Sequence, residues 1–308
     1  MDKLSLLSHR SSFFAAVRSF FLSAGYLEVD TPVRLPTLIP EAEILPFASE
    51  EWWLQTSPEL CMKRLLACGA GQLFQICHCF RKGEQGRLHQ PEFSMLEWYH
   101  SGWDYRCLMD EVEALFQAVV HDCGHFPAVR KPAAIVWRGK RISLQSPWRR
   151  ISVEDAFQRY AGISAHKAIR ANVFDEILVT EIEPALGWDR PVFLYDYPVE
   201  LASLAKRRVD DPGLAERFEL YIGGIELANG FSELTDPAEQ RERFGREREK
   251  IEQQGRDPGP MPEEFLADLA RLGPTAGIAL GLDRALMLFV DSANIGDVQA
   301  ISLKNFTK

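Results

Sequence analysis

The sequence has no long hydrophobic run and no cysteine spacing typical of a metal or disulfide framework. No apolar stretch approaches the roughly 18 residues that a membrane-spanning helix needs, and residues 1–10 lack the apolar segment of a secretory signal. The six cysteines form no C-x-x-C pair. The group Cys77-His78-Cys79 lies in a predicted strand, where successive side chains point to opposite faces, which disfavours a metal site. We therefore expect reduced cysteines, a cytoplasmic protein and no membrane association.

Positive charge is also scarce. The 308 residues include 35 Lys and Arg against 44 Asp and Glu, which gives a formal net charge of −9. Proteins that grip nucleic-acid backbones usually carry a basic surface, because phosphate neutralisation supplies much of their affinity. A local basic patch would still permit RNA binding, but the balance argues against a dedicated RNA binder. Hydrophobic residues at 46% and charged residues at 26% fit an ordinary globular chain.

Two glycine-rich nucleotide-binding motifs are absent as well. Neither G-x-x-x-x-G-K-[ST] nor G-x-G-x-x-G occurs, and the chain shows no internal repeat. Hydrophobic periodicity and turn residues predict helices over 8–24, 59–68, 104–123, 156–160, 237–254 and 283–289. They predict strands over 26–29, 52–55, 73–80, 93–99, 191–196, 218–222, 225–231 and 276–282, and a small hairpin over 136–142. The fold class is therefore α+β, a mostly antiparallel sheet flanked by helices.

The first segment with chemical character follows the predicted strand 73–80. Arg81 offers a planar fork of donors that suits a phosphate, and His89 can add positive character near an anionic tail. Phe93 can present a flat face to a purine base, a contact worth roughly 1–3 kcal/mol in base–aromatic stacks. The alternative is a polar hairpin tip with a phenylalanine in the core.

The second segment carries two carboxylates, Glu226 and Glu233, on a predicted strand. Strict alternation would put residues seven apart on opposite faces, but Gly230 permits a bulge that brings both to one side. Two carboxylates that face one cavity repel each other unless they share a cation, and Mg²⁺ bound to triphosphate oxygens is the natural one. The alternative is a pair of surface glutamates.

The third segment is Gly277-Ile278-Ala279-Leu280-Gly281-Leu282-Asp283-Arg284. Small residues at alternate positions leave one strand face bare, so that a ligand can lie close to the backbone. Arg284 then begins a helix, where it can stack on a base and reach phosphate. The alternative is tight helix–sheet packing with an ion-paired arginine.

In this order the three segments resemble motifs 2 and 3 of the class II aminoacyl-tRNA synthetases. Residues 25–32 resemble motif 1 of that family, whose proline and helix form the dimer interface. Residues 56–65, 91–99 and 224–231 resemble the lysyl branch specifically. The resemblance covers nearly the whole chain and implies one class II catalytic domain over residues 1–308, in a homodimer that uses ATP.

Two departures from lysyl-tRNA synthetases refine the resemblance. The chain begins almost at the motif 1 helix, so we expect no N-terminal anticodon-binding OB domain. Ala279 stands where lysyl-tRNA synthetases have glycine, and a methyl group in a pocket floor can shift discrimination by about 1–3 kcal/mol. Both features are similar to the bacterial ligases that attach (R)-β-lysine to a lysine of elongation factor P. That family implies activation of a lysine-type amino acid as an adenylate, with elongation factor P as the acceptor and tRNA disfavoured.

The resemblance also implies roles for individual residues. Arg81 and Arg284 would be catalytic through positioning and charge neutralisation, while Glu226 and Glu233 would hold Mg²⁺. Glu59 is the best partner for a substrate ammonium, because a buried cation needs one. The ATP site would comprise Arg81, Gly83, Glu84, His89, Gln90, Phe93, Glu226, Leu227, Gly281 and Arg284. The amino-acid site would comprise Ser57, Pro58, Glu59, Tyr99, Glu233 and Ala279.

Two positions depart from the family pattern. The turn reads Arg81-Lys82-Gly83-Glu84 where Arg-x-Glu is usual, so either Glu84 reaches the adenine through a changed turn or backbone groups replace it. Gln90 stands where asparagine is usual and keeps the amide chemistry.

Three other functions remain open at this point. A minimal lysyl-tRNA synthetase would charge tRNA without anticodon contact, which the acidic charge disfavours. An ammonia-dependent amide synthetase of the asparagine type would need a basic aspartate pocket, yet the pocket candidates include Glu59 and Glu233. A non-catalytic paralogue would be expected to lose Arg81, Arg284 or the glutamate pair, all of which are present.

Overall fold

The computed structural model describes residues 2–301. Its helices are α1 Lys3–Ser23, α2 Glu59–Ala67, α3 Tyr105–Asp122, α4 Val153–Ala161, α5 Ala165–Arg170, α6 Phe174–Ile177, α7 Pro237–Gln253, α8 Glu263–Leu269 and α9 Leu282–Val290. Its strands are β1 Leu27–Glu28, β2 Arg34–Leu35, β3 Ala48–Ser49, β4 Trp52–Leu54, β5 Gln72–Phe80, β6 Glu92–Ser101, β7 Val129–Arg130, β8 Ala134–Trp137, β9 Lys140–Ser143, β10 Arg149–Ser152, β11 Val192–Pro198, β12 Leu214–Ile222, β13 Ile225–Ser232 and β14 Thr275–Gly281.

Eight strands form the central sheet, in the order β1-β5-β6-β14-β13-β12-β11-β10. Among the six inner strands every adjacent pair is antiparallel, and only the outermost pairs, β1 with β5 and β10 with β11, are parallel. The predicted α+β class with a mostly antiparallel sheet is therefore confirmed. Two small three-stranded sheets, β2-β4-β3 and β7-β8-β9, lie outside it.

One face of the central sheet is closed by α1, α3 and α9. Phe13 of α1, Val112 of α3 and Phe289 of α9 are buried in one continuous hydrophobic cluster with Trp98 of β6 and Leu280 of β14. Their helices present these residues at helical spacing, so each contributes an apolar stripe to the same core. This packing leaves the opposite face of β6, β13 and β14 available for a ligand.

The opposite face is covered only in part. Met62 of α2, Phe244 of α7 and Phe265 of α8 pack in a second cluster with Tyr99 and Phe231 of the sheet. These helices therefore close one end of the open face, and the space beside them remains a pocket.

Both predicted strand pairs are present as antiparallel hairpins. β5 pairs with β6 from Gln72↔His100 to Phe80↔Glu92, and β12 joins β13 through Gly223-Gly224. Both glycines have positive φ, 60° and 75°, which a tight hairpin turn requires. Element ends differ from the prediction by a few residues. The largest difference is α1, which begins five residues early because the Asp2 side chain accepts a hydrogen bond from the Ser5 N–H.

Candidate active site

A cavity of about 290 Å³ lies on the open face of the sheet, between the β5–β6 hairpin and strands β13 and β14. Most of the residues that the sequence predicted for ATP and the amino acid line this one cavity. They are Ser57, Glu59, Arg81, Glu84, His89, Gln90, Phe93, Tyr99, Glu226, Leu227, Ala279, Gly281 and Arg284. Distant segments of the chain thus meet at a single site.

A bulge in β13 directs Glu226 into this cavity. The register with β12 shifts between Leu220↔Ala228 and Tyr221↔Glu226, so Leu227 is the extra residue. The sequence prediction of a bulge is right but its position at Gly230 is wrong. Gly230 continues the regular ladder opposite Phe218, and a Cβ there would meet the Phe218 ring at 2.8 Å. Its missing side chain therefore serves packing on the far face of the sheet.

Arg81 lies at the end of β5 and faces Phe93 across the hairpin. Its guanidinium carbon is 5.3 Å from the centre of the Phe93 ring, and Nε donates to the Thr56 carbonyl at 3.3 Å. Glu84 approaches the same guanidinium at 3.7 Å. Glu84, which lies one residue later than the acid of the usual Arg-x-Glu pattern, therefore still reaches the cavity. Gly83, with φ +85°, makes that turn possible and does not itself line the cavity.

Arg284 lies in the first turn of α9, as predicted, and is held by the loop before β6. It donates to the Leu88 carbonyl at 3.2 Å, to the Glu226 carbonyl at 2.9 Å and to Nε2 of His89 at 2.6 Å. Partial burial and the Arg284 charge lower the pKa of His89. His89 therefore accepts this hydrogen bond as a neutral ring, and the expectation that it adds positive charge is wrong for the ligand-free site.

The small residues of β14 form the bare floor that the sequence predicted. Gly277, Ala279 and Gly281 line the cavity, while Leu280 on the other face is buried in the main core. Ala279 pairs with Asn229 on one side and Glu97 on the other. Its methyl group therefore projects between two polar residues that face the ligand.

A buried ion pair lies next to Gly277, behind the residues that line the cavity; Glu233, which the sequence predicted for the amino acid and for magnesium, does not itself line it. Glu233 and Lys63 are almost fully enclosed and their side chains are ion-paired. Oε1 of Glu233 has no hydrogen-bond partner among residues 2–301. A Cβ on Gly277 would collide with this oxygen and with the Tyr99 ring, so the glycine leaves room in front of them. Buried polar atoms normally have partners, so a ligand donor is the natural complement.

Glu97 is a further acid that lines the cavity, and the sequence alone assigns it no role. Glu97 is buried on β6 and accepts from Ser57 at 2.5 Å and from Tyr99 at 2.8 Å. Burial and the nearby Glu59 raise the pKa of Glu97 to about 8. Burial likewise raises the pKa of Glu233 to about 8, although Lys63 opposes the shift. A buried cluster of this sign favours a ligand with positive charge.

The predicted role of Glu59 is changed by its neighbours. Its carboxylate is paired with Lys63 one helical turn away, so it faces the same ammonium as Glu233. Burial acts to lower the pKa of Lys63, but Glu233 and Glu59 outweigh it and the pKa is raised. Lys63 thus stays charged and offsets part of the acidic cluster. Pro58 is the N-cap of α2 and does not line the cavity.

The two predicted magnesium ligands have different partners. Because of the bulge, Glu226 is on the ligand face, with its carboxylate 3.4 Å from Arg284 and its side chain 38% exposed. Glu233 is committed to Lys63, so the prediction that both carboxylates share one cation is not supported by their contacts. Within residues 2–301 no cluster of three or more His, Cys, Asp or Glu side chains is arranged to hold a metal. The residues present fit a cation held by Glu226 together with ligand oxygens.

The group Cys77-His78-Cys79 also shows no metal geometry in the part of the chain that the structure describes. The two sulfurs lie on one face of β5, 3.9 Å apart, while Nδ1 of His78 bonds to Glu92 on the other face at 2.7 Å. The side chains therefore alternate between the two faces of the strand, as predicted. Over the same residues, no helix is long and apolar enough to cross a membrane.

Comparison with known proteins gives a consistent result over the whole chain. The model of the class II tRNA synthetases (D, K and N) matches residues 2–304. A protein named elongation factor P–(R)-β-lysine ligase from Edwardsiella ictaluri is 37% identical over 96% of this chain and 94% of its own length. A protein of the same name from Pectobacterium atrosepticum is 38% identical over 97% of this chain and 95% of its own.

Proposed function

Because this chain belongs to the class II tRNA synthetase family (D, K and N), we propose that it is an ATP-dependent ligase that joins (R)-β-lysine to a lysine of elongation factor P. The observation that carries the choice of amino acid is a pair of buried acids: Glu97 lines the cavity, and Glu233, with an unpartnered oxygen, lies directly behind Gly277. A substrate with two ammonium groups complements these acids once they ionise, whereas a neutral or acidic amino acid offers them no further cation.

In the first step the carboxylate of the amino acid attacks the α-phosphorus of ATP. A phosphorus–oxygen bond forms, the bond between the α- and β-phosphates breaks, and pyrophosphate leaves with the electron pair. Arg81 donates to the α-phosphate and stabilises the charge that develops there. Arg284 and His89 hold the remaining phosphates, and Phe93 supports the adenine. The protein contributes position and charge, with no covalent intermediate on its side chains.

In the second step the uncharged ε-amino group of the acceptor lysine attacks the carbonyl carbon of the adenylate. An amide bond forms, the bond to the phosphate oxygen breaks, AMP leaves and the amine proton passes to water.

Mg²⁺ would be held by Glu226 and triphosphate oxygens, where it would supply positive charge to the phosphates that depart in the first step. We assign Glu233 to the amino acid and not to Mg²⁺, because its carboxylate is already paired with Lys63.

A homodimer and a cytoplasmic location belong to the same proposal. The outermost strand β1 leaves Leu27 58% exposed, and Leu22 of the adjoining α1 is 55% exposed. Apolar side chains beside an open sheet edge support a partner subunit at this position. The proposed acceptor takes part in translation, which places the reaction in the cytoplasm.

Pyrophosphate exchange into ATP tests the activation step, and mass spectrometry of elongation factor P tests the transfer. We expect exchange with (R)-β-lysine and an increase in the mass of the factor by one lysyl residue. Absence of exchange with both (R)-β-lysine and α-lysine would rule out the activation. Exchange with no mass increase, accompanied by charging of tRNA, would transfer the assignment to a minimal lysyl-tRNA synthetase.

Replacement of Ala279 by glycine should change the preference between the two lysines. The variant removes the methyl group that projects between Asn229 and Glu97, which gives more room next to the reacting carboxylate. We expect the ratio of kcat/KM for α-lysine to that for (R)-β-lysine to rise by about tenfold or more. Exchange kinetics with each amino acid measure this ratio. Ala276→Gly, on the core face of the same strand, is the control, and equal ratios in both variants would contradict the prediction.

Amino-acid binding should strengthen between pH 6 and pH 8.5. Burial raises the pKa of both Glu97 and Glu233 to about 8, so below that pH these carboxyls carry protons and offer no charge to an ammonium. Binding a cation then requires proton release, and affinity rises by at most about tenfold per pH unit for each proton released. Calorimetry in buffers of different ionisation enthalpy counts the protons. Binding that is independent of pH, with no proton released at pH 7, would contradict the assignment.

The same shifts act on stability. A carboxyl whose folded pKa is raised contributes stability that is fully present below its unfolded pKa and lost as pH rises through the folded value. The ligand-free protein should therefore lose stability from about pH 5 to pH 8, while the stabilisation by bound lysine grows over the upper part of that range. The thermal midpoint with and without lysine at each pH measures both trends.

A further inference from the structure

The loop between β2 and β3 carries a carboxylate into the cavity that neither the sequence motifs nor the mechanism above uses. Glu41 lines the cavity, whereas the next acid along the loop, Glu43, is exposed. No hydrogen bond or ion pair of the Glu41 carboxylate is found among residues 2–301. The enclosed position raises the pKa of Glu41 to about 7, mainly through burial. A carboxylate inside a binding cavity without a protein partner is free to accept from a ligand.

The backbone next to Glu41 is fixed by α7 and the segment that follows it. Glu247 accepts from the Ala42 N–H at 2.9 Å, and Arg256 donates to the Ala42 carbonyl. Earlier in the loop, the Thr37 hydroxyl donates to the Pro260 carbonyl at 3.0 Å. Both polar groups of Ala42 are thus held by side chains from a distant part of the chain. The loop therefore presents Glu41 in a defined place, as a recognition residue requires.

The charges around Glu41 locate it along the cavity. Those that act on its carboxyl are, in order, Arg81, Glu59, Glu247 and Arg217. The charges that act on Glu233 are instead Lys63, Glu59 and Glu97. Glu41 therefore lies near Arg81, whereas Glu233 lies near Lys63 and behind Gly277. Since Arg81 is proposed to bind the α-phosphate that the substrate carboxylate attacks, Glu41 is on the side of the site that faces this carboxylate.

We infer that Glu41 is a specificity-determining residue that binds the ammonium group nearest the reacting carboxylate of the amino acid. The inference rests on the proposed function, because it assumes a lysine-type substrate with one ammonium at each end. Glu233 then binds the distal ammonium from behind Gly277, and Glu41 binds the proximal one from the loop. The loop thereby contacts the proximal amino group, whose position distinguishes an α-amino acid from a β-amino acid.

The test compares Glu41→Gln with Glu43→Gln, its exposed neighbour on the same loop. Calorimetry measures the dissociation constants of (R)-β-lysine and of 6-aminohexanoate, which has the carboxylate and distal ammonium but no proximal amino group. We expect Glu41→Gln to weaken (R)-β-lysine by about 10- to 100-fold, in line with a lost hydrogen bond to a charged group. We expect no change for 6-aminohexanoate, no change for either ligand in Glu43→Gln, and an intermediate loss in Glu41→Asp.

Two results would overturn the inference. If the Glu41→Gln variant binds (R)-β-lysine with the same dissociation constant as the unaltered protein, the Glu41 carboxylate does not contact the substrate. Equal weakening of both ligands would assign Glu41 to the distal ammonium instead. Pyrophosphate exchange by the unaltered protein is measured separately. Lysine binding that depends on Glu41 in a protein without exchange would refute the proposed activity and leave this inference standing.

Discussion

The Arg81→Ala variant is expected to lose about a thousandfold in the rate of pyrophosphate exchange, the scale on which one preorganised donor to a developing charge acts. Arg81 acts on groups in both parts of the cavity. It faces Phe93 at 5.3 Å on the nucleotide side, and its charge acts on Glu41 and Glu97 on the amino-acid side. Its removal should therefore lower kcat. It should also leave Glu41 and Glu97, on the side of the reacting carboxylate, without the positive charge of Arg81.

The controls for this prediction separate charge from shape. Arg81→Lys keeps the charge but loses the planar fork, so we expect it to recover part of the rate only. Arg271→Ala removes an arginine that is 61% exposed and paired with Asp268 away from the cavity, and it should exchange normally. An Arg81→Ala protein that is folded and exchanges within threefold of the unaltered rate would contradict the assignment of the α-phosphate to this residue.

The second large effect is expected for Glu233→Gln, which should raise KM for (R)-β-lysine by about a hundredfold or more while KM for ATP stays within about threefold. Glutamine matches the shape of glutamate but carries no charge, so the distal ammonium would be buried opposite a neutral amide. Lys63 keeps Glu59 as a partner and is not left alone in the interior. The loss should therefore appear chiefly in amino-acid binding, with a smaller change in the thermal midpoint.

Two comparisons make this result interpretable. Glu216→Gln disrupts an ion pair with Lys206 outside the cavity and should leave both KM values unchanged. Gly277→Ala keeps Glu233 but places a methyl group against Oε1, so it should mimic the loss, whereas Gly273→Ala meets nothing within 4 Å and should not. If a folded Glu233→Gln protein has an unchanged KM for (R)-β-lysine, the Glu233 carboxylate does not bind the distal ammonium.

The positions of the residues proposed to bind the nucleotide could be predicted from the sequence almost completely. Arg81, His89, Phe93 and Arg284 come from two segments whose local pattern places them at strand ends, in the turn between two strands and at the start of a helix. The structure brings all of them to one cavity. It also shows that burial and the charge of Arg284, a neighbour 195 residues away along the chain, lower the pKa of His89.

The acidic end was predicted only in part. The sequence places Glu97 in a segment that matches the lysyl branch but gives it no role, although it is buried in the lining of the cavity. The sequence places Lys63 in a helix, and nothing in its surroundings along the chain indicates that its ammonium pairs with Glu233. Glu41 lies in a loop with no periodic pattern. A signal was nevertheless available for Glu97, since a charged residue in an otherwise apolar strand is rarely buried without a purpose.

The sequence by itself determined the α+β class, the two long hairpins, the bare floor of β14 and the order of the family motifs. These features depend on alternation, helical spacing and turn residues within one segment, which local sequence encodes. Only the tertiary structure decided the rest. The bulge falls at Leu227 because register is set between two strands, and the pairing of Glu233 with Lys63 and the entry of Glu41 depend on which elements pack together. The residue spacing within one segment does not determine which distant segment it contacts. The proposed identity of the amino-acid substrate depends on such contacts.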